Sequence, residues 1–327
     1  MATAANDGVD ETPASLRFQP PGHVKPLRFG MLLTGQIDVG PDRANGQNTG
    51  FRATDARLLV EGHLEEGFSY LLQSEFRRDT PLLDLILRWE SEGGTMLHAG
   101  YFRTPTSGEL LIAAPSLDFI DRAQIVRTLA ADRQVGVQID QPILGRALVA
   151  RAGVFGGDGL DGGDDERFLY TGRLDGVVTF DDGETEFAYG ASAFHSRDEE
   201  AVPGFSAITD PGLQADRTVA GADVRVTHGP FLFSAEGMWG ALDSSDVPDQ
   251  EIWGYQGSVG WTINRLIQIL ARYDSLHGEG AVSDLDLAIG SLVLNFTNYV
   301  NLQAEIRVPT RGEGPAPGGA ANLNIQF

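Results

Sequence analysis

Alternate residues along much of this sequence are charged, and their types decide what chemistry is open to them. One parity gathers the bases Arg57, Arg77, Arg88, Arg151, Arg173, Arg225, Arg272 and Arg307. The same parity holds the acids Asp55, Glu61, Glu75, Asp84, Glu90, Asp132, Asp140, Asp175, Asp223, Glu236, Asp274 and Glu305, interleaved with Gln73, Gln134, Gln138, Gln256, Gln268, Asn301 and Gln303. No enzyme motif accompanies them: there is no G-x-S-x-G, no Gly-rich phosphate loop and no H-E-x-x-H. The six His (23, 63, 98, 195, 228 and 277) show no ligand spacing, and Cys is absent, which removes thiol chemistry and disulfides together. What such side chains can do is orient and sort solutes by their field. A dry core would reject them, because an unpaired buried charge costs several kcal/mol. A water-filled interior accepts them.

The elements that must carry these residues have a period of two. In FSYLLQSEFRR (68–78), Phe68, Tyr70, Leu72 and Phe76 share one face and Gln73, Glu75 and Arg77 the other. In YVNLQAEIRV (299–308), Val300, Leu302, Ala304, Ile306 and Val308 oppose Asn301, Gln303, Glu305 and Arg307. This alternation predicts strands. Sixteen are expected, near 27–39, 51–64, 67–78, 82–91, 95–103, 132–142, 146–156, 167–180, 184–195, 217–227, 230–241, 251–262, 265–274, 284–297, 299–308 and 320–327. Their connections alternate long and short, as in a barrel whose tight turns face the periplasm and whose long loops face outward. Strand 14 fits least well, because Asp286 and Ser291 fall on opposite parities, which suggests a bulge or a misplaced boundary.

Sixteen strands make a barrel too wide for side chains to fill. The apolar face must then point to lipid and the polar face to water. Aromatics on the apolar parity gather near the strand ends: Phe68, Phe180, Phe231, Trp261, Phe296 and Phe327 by the short turns, and Phe76, Tyr170, Trp239, Trp253 and Tyr273 by the long loops. This predicts two interfacial girdles. The fold expected is therefore a 16-stranded antiparallel transmembrane β-barrel occupying residues 27–327 of the cell outer membrane. Residues 1–26 are polar and read as a flexible periplasmic arm, or else a short plug.

The longest insert, 104–131, is TPTSGELLIAAPSLDFIDRAQIVRTLAA. It is too apolar to float in solvent and needs a surface to lie on. It is expected to fold into the lumen as a constriction loop, the alternatives being a helical lid or a subunit contact. Its Glu109, Asp118 and Asp121 would face wall arginines across the opening, with Arg122 and Arg127 as its own cations.

The net charge of -22 and a single lysine, Lys25, exclude a nucleic-acid partner of the usual kind. Membrane lipid, lipopolysaccharide and small solutes or ions are the partners this chain implies. No cofactor is expected. Asp158, Asp161 and Asp164 in a Gly-rich stretch form a weak candidate for Ca²⁺ in an external loop, although the EF-hand pattern is missing and a solvated acidic turn is the simpler reading.

Several segments resemble the phosphate-selective porin O/P family. They are FRATDARLLVEGHLEEGFSYLLQSEF (51–76), LHAGYFRTPTSGELL (97–111) and LDFIDRAQIVRTLAADRQVGVQI (117–139). The specific elements are Arg52 and Arg57, the Gly100–Tyr101–Phe102–Arg103 step, the Asp121–Arg122 pair and the Arg133–Gln134–Val135–Gly136–Val137 run. The resemblance implies a non-enzymatic homotrimer with one pore per subunit. Phosphate selectivity in that family rests on a dense Arg and Lys ladder. Here carboxylates accompany most wall arginines, so the lining predicts passive diffusion of small hydrophilic solutes in general. The alternatives are a phosphate- or anion-selective channel, a structural barrel that anchors another envelope component, or a soluble β-rich binding protein.

Overall fold

A computed structural model of the chain describes residues 16–18, 27–40, 50–157, 159–160, 168–201, 209–244, 249–278, 284–311 and 317–327. Sixteen strands form the barrel: β2 (Leu27–Val39), β3 (Gly50–His63), β4 (Phe68–Glu75), β5 (Leu82–Glu90), β6 (Met96–Arg103), β7 (Arg133–Pro142), β8 (Val149–Phe155), β9 (Leu169–Phe180), β10 (Thr185–Ala201), β11 (Thr209–His228), β12 (Phe231–Ser244), β13 (Gln250–Thr262), β14 (Ile267–Gly278), β15 (Leu285–Asn295), β16 (Val300–Arg311) and β17 (Gly318–Gln326). Each pairs antiparallel with its neighbour in sequence, and β17 returns to β2 with Gln326 opposite Leu32 and Gly319 opposite Val39. The sheet is closed, which leaves the barrel no edge strand; only the start of β2 lies beyond the reach of β17.

That closure is staggered. Phe327 ends opposite Met31, exchanging backbone hydrogen bonds of 2.8 and 3.1 Å. Leu27–Gly30 run on past the C-terminus with one side uncovered by β17. A short strand, β1 (Leu16–Phe18), pairs there, with Leu16 opposite Phe29 and Phe18 opposite Leu27. It is the one described part of the arm expected at 1–26.

The outer face is apolar. Phe68, Phe76, Tyr170, Phe180, Phe231, Trp239, Trp253, Trp261, Tyr273 and Phe296 are all exposed on it, whereas Phe327 is partly covered. Lipid is the solvent that makes such a surface stable.

The strands agree with the sequence pattern except at two places. The long connection expected at 196–216 is shorter, because β10 and β11 stay paired as far as Ala201 and Thr209. Where the hairpin rises clear of the bilayer, no apolar face is needed, so the pattern that marks a strand fades; Arg197 and Asp216 join across it at 2.9 Å instead. At Asp286 the irregularity lies on the facing strand. Asp286 and Leu287 pair in unbroken register with Ser275 and Asp274, but with Arg311 and Pro309 on β16, so Thr310 is the extra residue. Asp286 therefore does point outward, on the face of Ser275, whose Oγ donates to it at 2.6 Å.

Candidate pore constriction

The 104–131 segment leaves β6 at Arg103 and rejoins the wall at β7. Ser107 caps helix α1 (Gly108–Leu111), its Oγ accepting the Leu110 N–H at 3.0 Å. A 3₁₀ turn at Ala114–Ser116 and helix α2 (Gln124–Leu129) follow. Neither helix is long enough to stand alone in water; the wall holds them.

Three inward-facing carboxylates accept backbone N–H groups from the loop. Glu236 of β12 takes those of Gly108 and Glu109 at 3.2 and 3.0 Å. Asp274 of β14 takes that of Gln124 at 3.0 Å, and Glu305 of β16 that of Ile120 at 2.6 Å. Three wall arginines answer the loop's own acids. Arg225 of β11 grips Asp118 with both guanidinium nitrogens. Arg272 meets Glu109 at 3.2 Å and lies 4.5 Å over the Phe119 ring. Arg307 meets Asp121 at 2.8 Å. Glu109 also accepts the Ala123 N–H at 2.8 Å, while Arg122 donates to the carbonyls of Glu109, Leu110 and Ile112, tying the two limbs together.

Two expectations are corrected here. Glu109, Asp118 and Asp121 do not face Arg272, Arg225 and Arg307 across open water; they touch them, and their charges cancel where they meet. Nor is the inward face polar throughout. Phe155, Leu169, Phe194, Val219, Met238, Leu242 and Ile252 are buried with Ile125, Val126 and Leu129 of α2 in one apolar cluster. The loop's apolar run could not sit on a charged wall, and the wall beneath it is apolar to match. At Gly240 a methyl group would fall 2.8 Å from Leu129, so the helix lies directly on the backbone there.

Most of the remaining wall arginines are also matched by carboxylates. His98, Asp140, Arg151, Asp175, Arg173 and Asp223 form a chain of contacts around the inner wall, at 3.2, 2.5, 2.9, 3.6 and 2.7 Å in turn. Arg57 pairs with Glu75 at 3.1 Å and with Asp55. Arg133 meets Asp84 at 2.9 Å. Arg88 is half-buried, and Arg77, past the end of β4, is exposed and donates to the Thr54 carbonyl.

A cavity of about 590 Å³ lies between the loop and β2, β3 and β14 to β17. Of the charged constriction candidates taken from the sequence, Arg57, Asp118, Asp121, Arg122 and Arg127 line it, together with the inward-facing Asp55, Gln268, Asn301 and Gln303. Arg88, Arg151, Arg173, Arg225, Arg272, Arg307 and Glu109 do not. Glu109, Arg173 and Arg225 border a smaller space of about 200 Å³ on the loop's other side. Alternation placed Glu236, Asp274 and Glu305 inward, but their role in holding the loop has no sequence signal, since it depends on which strands end up beneath the insert. The Ca²⁺ candidates Asp158, Asp161 and Asp164 lie outside the described residues.

Burial pushes the Glu109 carboxyl above the usual range, against the opposing pull of Arg272 and the Ala123 N–H. Loss of solvent also pushes Asp121 upward, but Arg307, Arg127, Arg272 and Arg52 outweigh it and hold that carboxyl below the usual range.

A closed sixteen-stranded barrel with an apolar exterior, a charged interior and a long third loop fastened to the inner wall defines a porin of the outer membrane. The family model for phosphate-selective porins O and P matches residues 32–281, and the chain belongs to that family. It is thus a non-enzymatic outer-membrane channel for small solutes. No curated protein matches it in sequence. Solved structures share the fold at low identity. In-vitro folded OmpT of Vibrio cholerae, in a trimer form, has a TM-score of 0.68 at 12% identity, covering 92% of this chain and 99% of that one. An anion-selective porin from Comamonas acidovorans gives 0.66 at 14%, covering 92% and 98%. The outer membrane channel DcaP of Acinetobacter baumannii gives 0.66 at 12%, covering 95% and 99%.

Proposed function

We propose that solutes cross through the cavity bounded by Arg57, Arg122, Arg127, Asp118 and Asp121, with the 104–131 loop as the constriction. One observation carries this reading: the loop is fixed to β11, β12, β14 and β16 by charge and hydrogen bonds, and the polar cavity lies on its free side. Wall arginines neutralised by their own carboxylates support a channel of weak charge preference, open to small hydrophilic solutes generally. Purified protein in planar bilayers is expected to give stepwise currents; silent bilayers from folded protein would exclude the channel.

A second reading, anion preference, is favoured by one feature. Arg122 bonds only to carbonyls, and Arg127 is exposed, without a carboxylate in contact among the described residues. Reversal potential in a salt gradient separates the two readings. The trimeric state of the V. cholerae relative supports a homotrimer here as well, testable by crosslinking in detergent. Contact with lipopolysaccharide at the external girdle follows from the membrane placement, and its test is lipopolysaccharide co-purification.

A further inference from the structure

The cavity has two unlike sides. The loop contributes its charged groups; the barrel side between β2, β16 and β17 contributes amides. Asn301, Gln303, Asn322, Asn324 and Gln326 line it together with Thr34. Three of them are linked, Thr34 Oγ1 donating to Asn324 Oδ1 at 2.9 Å and Asn324 Nδ2 to Asn301 Oδ1 at 2.9 Å, while Gln303 Nε2 donates to the Asp118 carbonyl at 2.8 Å; together they make a track of amides. Register explains the row, because Asn301 stands opposite Asn324 and Gln303 opposite Asn322. Among the described residues two acceptors in it have no partner, Asn322 Oδ1 and Gln326 Oε1, and Asn322 is only 8% exposed.

We infer that this track selects neutral polyhydroxylated solutes, sugars and polyols of small size, over other uncharged molecules of equal bulk. The inference rests on the cavity being the diffusion path. An amide offers both a donor and an acceptor, as a hydroxyl does, so each water a sugar gives up can be replaced by a wall contact. A charged solute gains no counter-charge from this side. An uncharged solute with few hydroxyls leaves the amides without replacement partners, at the cost of lost hydrogen bonds.

The test is swelling of liposomes holding the full-length protein, in glucose and in a polyethylene glycol of the same hydrodynamic radius, with KCl conductance recorded alongside. Glucose is expected to enter about fivefold faster, the scale of one retained hydrogen bond. The double variant Asn322→Leu/Gln326→Leu is expected to lose that ratio while its KCl conductance stays within about twofold of the parent, the scale left when lumen charge is unchanged. Asn322→Gln is expected to keep the ratio. Equal entry of both solutes into liposomes with the unaltered protein, or an unchanged ratio in the double variant, overturns the inference. Should the double variant not fold, glucose-dependent interruption of single-channel current in the unaltered protein decides instead, with uninterrupted current counting against it. Absence of any conductance would instead defeat the diffusion path itself.

Discussion

Asp121, near the far end of the third loop, meets Arg307 of β16 at 2.8 Å, and Arg307 in turn holds Glu305 at 2.9 Å. Glu305 accepts the N–H of Ile120, the residue before Asp121. Four groups thus close a ring that fixes the loop to the wall beside the cavity. The ring explains how an insert with only two short helices can hold one position in moving water.

Arg272 is the most deeply placed of the three arginines that hold the loop, with its side chain 2% exposed between Glu109 and Phe119. Arg272→Ala strands a buried carboxylate and is expected to cost about 3 kcal/mol. Arg307→Ala frees the half-exposed Asp121 but strands Glu305, whose side chain is fully buried, so a cost on the same scale, about 3 kcal/mol, is expected. Unfolding followed by heat-dependent gel mobility should show both variants melting well below the parent.

Glu236 supports the start of α1 through two N–H groups. Glu236→Gln keeps an acceptor and is expected to cost less than Glu236→Ala, for which about 2 kcal/mol is the scale of charge-assisted bonds lost from a buried pair of donors. Current noise should rise with Glu236→Ala, as the loop samples more positions. A quiet trace from that variant would mean the loop is held without it.

The two loop carboxylates respond to acid in opposite senses. Glu109 has a folded pKa above its ordinary 4.5, so its contribution is full below 4.5 and is lost as pH rises through the raised value. Asp121 has a folded pKa below its ordinary 3.8, so its contribution is present above 3.8 and is lost as pH falls through the lowered value. Stability is therefore expected to rise on mild acidification and to fall only below 3.8. Glu109→Gln should flatten the rise and Asp121→Asn the fall, both visible in melting temperature against pH.

Arg122 and Arg127 are the cavity's cations without a carboxylate in contact. Changing both to Gln is expected to move the reversal potential toward cation preference, since it removes two unpaired positive charges and leaves the four aspartates of the cavity in place. An unmoved potential would place the selective step elsewhere. Arg122 also braces the loop, so Arg127→Gln alone gives the cleaner comparison.

Gly240→Ala tests how closely α2 lies on the wall. Its methyl group would meet Leu129 at 2.8 Å, and an overpacked contact costs about 1–3 kcal/mol. A displaced loop should change single-channel conductance; an unchanged conductance would show that α2 can shift freely.

The barrel was legible because lipid on one side and water on the other impose a strict alternation, which residues such as Val300 to Val308 display without exception. The tip of the β10–β11 hairpin escaped because it stands outside that contrast. That the insert needs a surface was legible from its apolar content, but not which part lies against it: between 110 and 120 only Leu110 and Phe119 are buried, and the packed face is that of Ile125, Val126 and Leu129. Glu109 and Arg272 are 163 positions apart, and nothing in either neighbourhood marks the other. Asn322 and Asn324 read only as the polar side of a last strand, since a hydrogen-bonded track appears only once β17 is set against β16.

The stagger at the closing seam has a consequence for how the chain finds itself. Leu32–Val39 are paired on that side only by residues 319–326, from the far end of the sequence, so closing the barrel depends on its longest-range pairing. Leu27–Phe29 draw on Leu16–Phe18 instead, a neighbour in the chain. One side of a single strand thus joins a local contact to the most distant one, and the search for the distant one is shorter once the local one has set the strand's direction.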